Sequence, residues 1–169
     1  MVQPSEFNLG DYVVYPSHGV AQIKKIEEQQ VAGMEVKLYV LDFKDSKMTV
    51  SVPLSRAVKL GLRSLSSAED ISKALNTLRK KAKISRGMWS KRAQEYDSKI
   101  NSGNIISLAE VVRDLHRGVE NPERSYSERV IYENALHRFA GEIAAIEQID
   151  PNQATKKVVD MLSAKKAAA

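Results

Sequence analysis

The chain has 169 residues, 43% hydrophobic and 28% charged, with a net charge of +5 and no cysteine. That balance excludes an intrinsically disordered chain and suits two small folded domains, while the lack of cysteine removes disulfides, thiolate metal sites and cysteine nucleophiles. No apolar run approaches the roughly 20 residues that span a bilayer, and the start Met1-Val2-Gln3-Pro4-Ser5-Glu6 lacks the basic and apolar regions of a signal peptide, so a cytoplasmic protein without membrane contact is expected.

Residues 1–64 read as strands. Gly10-Asp11-Tyr12-Val13-Val14-Tyr15-Pro16 is β-branched and aromatic, and Pro16-Ser17-His18-Gly19 supplies a turn into Val20-Ala21-Gln22-Ile23-Lys24-Lys25-Ile26, which alternates. Gly33 punctuates before Val36 to Phe43, and Asp45-Ser46 turns the chain into Met48-Thr49-Val50-Ser51-Val52-Pro53. Four or five short strands with tight turns imply a small, strongly bent antiparallel barrel, left open with an accessible edge.

Residues 65–169 change to helical patterning after a connector near Gly61 to Ser66. Ser67 with Asp70, Ser107 with Glu110 and Ser125 with Glu128 have capping-box spacing, and Asp150-Pro151 offers an N-cap followed by proline. These signals predict helices over 67–81, 88–102, 105–118, 125–147 and 151–164. In the fourth, Tyr132, Leu136, Phe139, Ile143 and Ile146 define one apolar face. Ser102-Gly103-Asn104 and Gly118 to Arg124 have the length of connections between antiparallel helices, and the tail Lys165 to Ala169 is expected to fray. The fold class is therefore α+β, a small barrel (1–64) followed by an all-α bundle (65–169).

Charge is concentrated rather than spread. From Lys73 to Lys99 the chain carries Lys73, Arg79, Lys80, Lys81, Lys83, Arg86, Lys91, Arg92 and Lys99 against only Glu95 and Asp97. A local basic stretch favours a docking face for phosphates over generic solubility. Within it lies the only tryptophan, Trp89, and an aromatic ring among cations can stack on bases or push between them. Two readings compete. Trp89, Ala93, Tyr96 and Ile100 share one helix face, which points the ring into a core; yet a side chain in the first helical turn can project past the bundle, with Lys91 and Arg92 flanking phosphates. Lys80, Lys81, Lys83 and Arg86 form either a solvated connector or further phosphate contacts. Arg113 and Arg117, spaced i to i+4 beside Asp114, read as salt-bridge partners.

Signals for catalysis are missing. His18, His116 and His137 stand outside any His-Glu-x-x-His frame, and Glu133 with His137 reads as a surface helix pair. Gly87, Gly103 and Gly118 are isolated, with no Gly-Lys-Ser/Thr following, and no nucleophile-elbow motif is present. Neither a metal nor a cofactor is expected.

Gly10 to Val20, Thr49 to Pro53, Met88-Trp89-Ser90-Lys91-Arg92 and Leu108 to Arg117 closely resemble the bacterial CarD/CdnL transcription regulators, in order over roughly residues 5–165. The first domain alone also resembles the polymerase-binding module of transcription-repair coupling factors. The resemblance implies a Tudor-like N-terminal domain that binds the RNA polymerase β subunit, here through the edge at Met48, Thr49, Val50, Ser51 and Val52, where the residues alone favour an internal strand. It implies a helical domain contacting promoter DNA at the upstream edge of the melted region, in the minor groove and with little sequence preference. Trp89 would be an exposed wedge there, with Lys83, Arg86, Lys91 and Arg92 as DNA contacts, in a monomer associated with the nucleoid through polymerase. Family arginines on the polymerase-facing surface are not matched: this chain has Ser51 and, in the loop expected after the second strand, Glu28-Gln29-Gln30. The competing reading is a Tudor-like adaptor for the ribosome, structured RNA or a repair factor, since fold does not fix function.

Overall fold

In the computed structural model the described residues are 7–44, 46–83, 86–116 and 125–168, the last four by their backbone alone. The expected turn residue Asp45, the pair Ile84-Ser85 within the basic stretch, Arg117 and the connection from Gly118 to Arg124 lie outside them. The chain divides into two compact units, Met1–Leu65 and Ser66–Ala169.

The first unit comprises β1 (Tyr12–Tyr15), β2 (Gly19–Val31), β3 (Met34–Phe43), β4 (Met48–Pro53), α1 (Leu54–Ala57) and β5 (Arg63–Ser64). The strands form one sheet in the order β4-β3-β2-β1-β5, every pairing antiparallel. Alternation decides which side is covered: Val13, Ala21, Ile23, Tyr39, Leu41, Phe43 and Val52 point into one core with Phe7, Ala57 and Leu62. Midway, the pairing slips from Ile23↔Leu41 to Lys25↔Val40, leaving Lys24 as the extra residue of a β-bulge. Such a bulge bends the strand and increases its twist, which lets five strands curl around a core this small. The curl stops short of closure, because β4 and β5 end the order without pairing to each other.

Two expectations for this unit need correction. Glu28, Gln29 and Gln30 are not a loop but continue β2, opposite Lys37, Val36 and Glu35. The true turn is Ala32-Gly33, with φ of 53° and 80°, the doubly positive pair that a two-residue type I′ hairpin demands. Polar alternation hid this arm, since its residues are exposed on both faces and carry no inside-outside signal. Likewise the supposed connector at Gly61 to Ser66 contains β5, whose Arg63 and Ser64 pair with Val14 and Val13. Two residues are too few to show a period.

The second unit comprises α2 (Ala68–Arg79), α3 (Trp89–Asn101), α4 (Ile105–His116), α5 (Tyr126–Glu147) and α6 (Pro151–Ala168). The expected caps hold at α2 and α5, where Ser67 Oγ accepts from Asp70 N and Ser125 Oγ from Glu128 N, both at 3.1 Å. At α6, Asp150 Oδ1 accepts from Asn152 N at 2.8 Å. Ser107 does not cap α4: Asn104 does so three residues earlier, its Oδ1 accepting from Ile106 N at 2.8 Å and Ser107 N at 3.3 Å. Asn is an equally good N-cap, and it satisfies the first free N–H groups before Ser107 is reached. Nor does α6 stop at 164; Lys and Ala are strong helix formers and its backbone stays helical through Ala168.

Along α5, Tyr132, Leu136, Phe139 and Ile143 are buried as expected, packing with Leu78, Val111, Val112, Leu115, Ala154 and Val158 into one core. Full burial of each such side chain contributes roughly 1.5–3 kcal/mol. Among them sits Glu142, only 2% exposed, whose Oε2 accepts from Ser66 N at 2.8 Å. That bond fastens the first residue of the helical unit to its longest helix.

Candidate nucleic-acid interface

The basic stretch is presented by α2, the extended segment after it and the first turn of α3. Lys80 leaves α2 in an extended conformation (φ −73°, ψ 159°). The segment is held at Lys83, whose N–H donates to Asp114 Oδ1 at 2.9 Å. Asp114 is itself 6% exposed and bonded to the equally buried Arg113 at 2.8 Å. Arg113 is thus structural, as its spacing suggested, and Asp114 is an anchor that no sequence motif marks. Lys80, Lys81, Lys83, Arg86 and Lys91 are all exposed. Lys73 and Lys99 are occupied otherwise, by Glu69 at 3.2 Å and Glu110 at 2.7 Å.

The start of α3 differs from those of α2 and α5. Met88 provides no side-chain cap and the first turn holds no acidic residue, whereas α2 and α5 are capped by serine and carry Glu69, Asp70 and Glu128 there. The positive end of the helix dipole meets Lys91 and Arg92 instead of a carboxylate. Uncompensated, this arrangement is unfavourable; a bound phosphate reverses the sign.

Trp89 satisfies parts of both sequence readings. Its ring is half-buried and packs against the helical core, continuing the face of Ala93, Tyr96 and Ile100. The ring centroid lies 6.2 Å from that of Tyr96, and Nε1–H donates to Ser127 Oγ at 3.3 Å. A wholly exposed wedge is therefore not what the structure has. The more protruding apolar side chain is its neighbour Met88, 77% exposed. Arg92 is also less free than expected: its guanidinium carbon stands 5.4 Å from the Trp89 centroid and 6.0 Å from that of Tyr96, and Nε is buried without a partner. Cation–π contact holds both rings in place. Farther along, burial lowers the pKa of Arg138, opposed by Asp97, and its Nη1 donates to Asn101 Oδ1 at 3.2 Å.

In the first unit, β4 lies at one end of the sheet order. Thr49 and Ser51 are exposed, while Met48 and Val50 lean against the core. Val52 is 2% exposed and sits opposite Tyr39. Its side chain belongs to the core, so only its main chain could meet a partner.

Two family profiles match the chain in tandem, "CarD-like/TRCF RID domain" over residues 7–66 and "CarD, C-terminal domain" over residues 73–159. The chain belongs to the CarD/CdnL family. This is a family of transcription regulators. Met48 to Val52 fall within the first matched segment of this CarD/CdnL protein, and the Lys83 to Arg92 stretch within the second. A protein of Bacillus subtilis (strain 168) named "Putative transcription factor YdeB" is 29% identical over 147 residues, covering 87% of this chain and 96% of that one. Among the described residues, no three His, Asp or Glu side chains could hold a metal ion, and no helix is long and apolar enough to cross a membrane. Glu133 accepts from Arg129 Nε at 3.1 Å.

Proposed function

We propose that this protein binds the RNA polymerase β subunit through the β4 edge and steadies open promoter complexes by placing the α3 start at the upstream end of the melted DNA. The observation that carries the DNA half is the uncapped, acid-free first turn of α3, with Lys91 and Arg92 in it and Met88 and Trp89 at its tip. An edge strand can extend a partner's sheet through main-chain hydrogen bonds, with alternate side chains such as Thr49 and Ser51 setting specificity.

Met88 and the outer part of Trp89 form the apolar blade. Inserting it from the minor-groove side of the junction between duplex and bubble unstacks one step, at a cost of a few kilocalories per mole repaid by new contacts. Rewinding of the melted strands is then slowed. Tethering to polymerase raises the local concentration of the basic unit, so weak and sequence-indifferent DNA affinity suffices.

Trp89→Ala tests this reading. Capture of RNA polymerase should be unchanged, while the lifetime of promoter complexes in a competitor-challenge assay should fall about tenfold, the equivalent of about 1.4 kcal/mol. Equal lifetimes for variant and parent count against the blade. Retention of ribosomes instead of polymerase in a pull-down would favour an adaptor.

A further inference from the structure

Among the described residues of the helical unit, three large apolar side chains are exposed: Met88 at 77%, Tyr126 at 81% and Val130 at 44%. They are gathered in one place. Met88 adjoins Trp89, and Tyr126 adjoins Ser127, whose hydroxyl accepts the Trp89 indole N–H at 3.3 Å. Val130 stands one turn beyond Tyr126, on the same face of α5. Consecutive Cα atoms are only about 3.8 Å apart, so the single Trp89–Ser127 bond brings the starts of α3 and α5 together with their exposed apolar side chains.

Charge around this patch selects the partner. Arg86 and Lys91 are exposed beside Met88, and Arg129 lies within one turn of Tyr126, its Nε bonded to Glu133 at 3.1 Å. On the α5 side Arg129 is paired with Glu133 and Glu128 lies nearby, but an apolar patch with exposed cations along its α3 side suits a polyanion that also offers flat apolar faces, which describes unpaired nucleotides. Trp89 is poorly placed to stack on a base, because Arg92 lies over its ring at 5.4 Å and Tyr96 is 6.2 Å away. Tyr126 has no ring, cation or hydrogen-bond partner among the described residues. Its ring is accessible for stacking.

We infer that Tyr126 is a second aromatic contact to DNA, stacking on an unpaired base beside the junction that Met88 and Trp89 hold open, with Val130 flanking it. The inference rests on the DNA-facing reading of the α3 start but concerns a different residue, helix and nucleotide. It divides the labour. One aromatic braced by Arg92 and Ser127 parts the duplex, and a freer one receives what has been released.

The test uses the full chain and two labelled DNAs of the same sequence, a duplex with unpaired nucleotides at one end and the fully paired duplex, titrated by fluorescence anisotropy. Tyr126→Ala should weaken binding to the forked DNA about five- to a hundredfold, the range of base–aromatic stacking, and leave the paired duplex unaffected. Tyr126→Phe, which keeps the ring, should bind like the parent. Parent-like binding of Tyr126→Ala to the fork overturns the inference, as does equal loss on both DNAs or loss in Tyr126→Phe. Trp89→Ala run alongside separates the two ideas. If it weakens fork binding while Tyr126→Ala does not, only the stacking role falls; the opposite pattern sinks the blade and leaves the stacking role standing.

Discussion

The main-chain N–H of Lys83 donates to Asp114 Oδ1 at 2.9 Å, across 31 residues of sequence. One buried carboxylate thereby serves two masters, the buried Arg113 guanidinium within α4 and the backbone of the basic segment. Asp114→Ala leaves Arg113 as an uncompensated buried charge, so it should destabilise the protein by about 3–5 kcal/mol in urea unfolding. Asp114→Asn keeps an acceptor for Lys83 and should cost less. A loss below about 1 kcal/mol for the alanine variant would mean that water replaces the carboxylate.

The β2–β3 turn gives a prediction of the opposite sign. Ala32 has φ 53° and Gly33 φ 80°, and for a residue with a Cβ the left-handed region is costly. Asn tolerates that region far better, and Asn-Gly is the preferred type I′ pair. Ala32→Asn should therefore raise stability by about 0.5–1 kcal/mol, with no change in polymerase capture. Thermal unfolding of the variant at or below the parent's midpoint would contradict this.

Much of this architecture is legible in the sequence where a periodic face meets a core. Tyr132, Leu136, Phe139 and Ile143 announced α5, and Ser67, Ser125 and Asp150 marked three helix starts, because local chemistry and burial agree there. The hairpin arm at Glu28 to Gln30 leaves no signal since exposed strands need no alternation, nor does β5, whose two residues gain strand geometry only by pairing with Val13 and Val14. At the candidate interface, the basic residues and Trp89 stood out by composition. What positions them did not: Asp114, Ser127 and the stacking of Arg92 come from contacts 31, 38 and three residues apart, and only the last falls within reach of a local pattern.

For the sheet edge, exposure singles out Thr49 and Ser51. Charged side chains on an edge strand oppose pairing with another strand. Thr49→Glu with Ser51→Glu should reduce capture of the RNA polymerase β subunit about tenfold or more, leaving the fold intact because neither side chain enters the core. Asn152→Glu with Gln153→Glu, both exposed at the start of α6, adds the same charge away from the sheet and is the matched control that should bind normally. Capture lost equally in the control would point to net charge, and capture retained in the double variant would move the polymerase contact away from β4.

Salt dependence should separate the two cations of the α3 first turn. Lys91 is exposed, whereas Arg92 is committed to the Trp89 and Tyr96 rings at 5.4 Å and 6.0 Å. Each phosphate contact releases counterions, so losing one lowers the slope of log affinity against log salt by about one. Lys91→Ala and Arg86→Ala should each show that decrement on any DNA sequence. Arg92→Ala should change the slope by clearly less while still weakening binding, because what it loses is the brace on the indole; Arg92→Lys should behave similarly, since a lysine ammonium lacks the planar group that stacks. A full unit of slope lost in Arg92→Ala, with Trp89 fluorescence unaltered, would place its guanidinium on a phosphate and release the indole from its control.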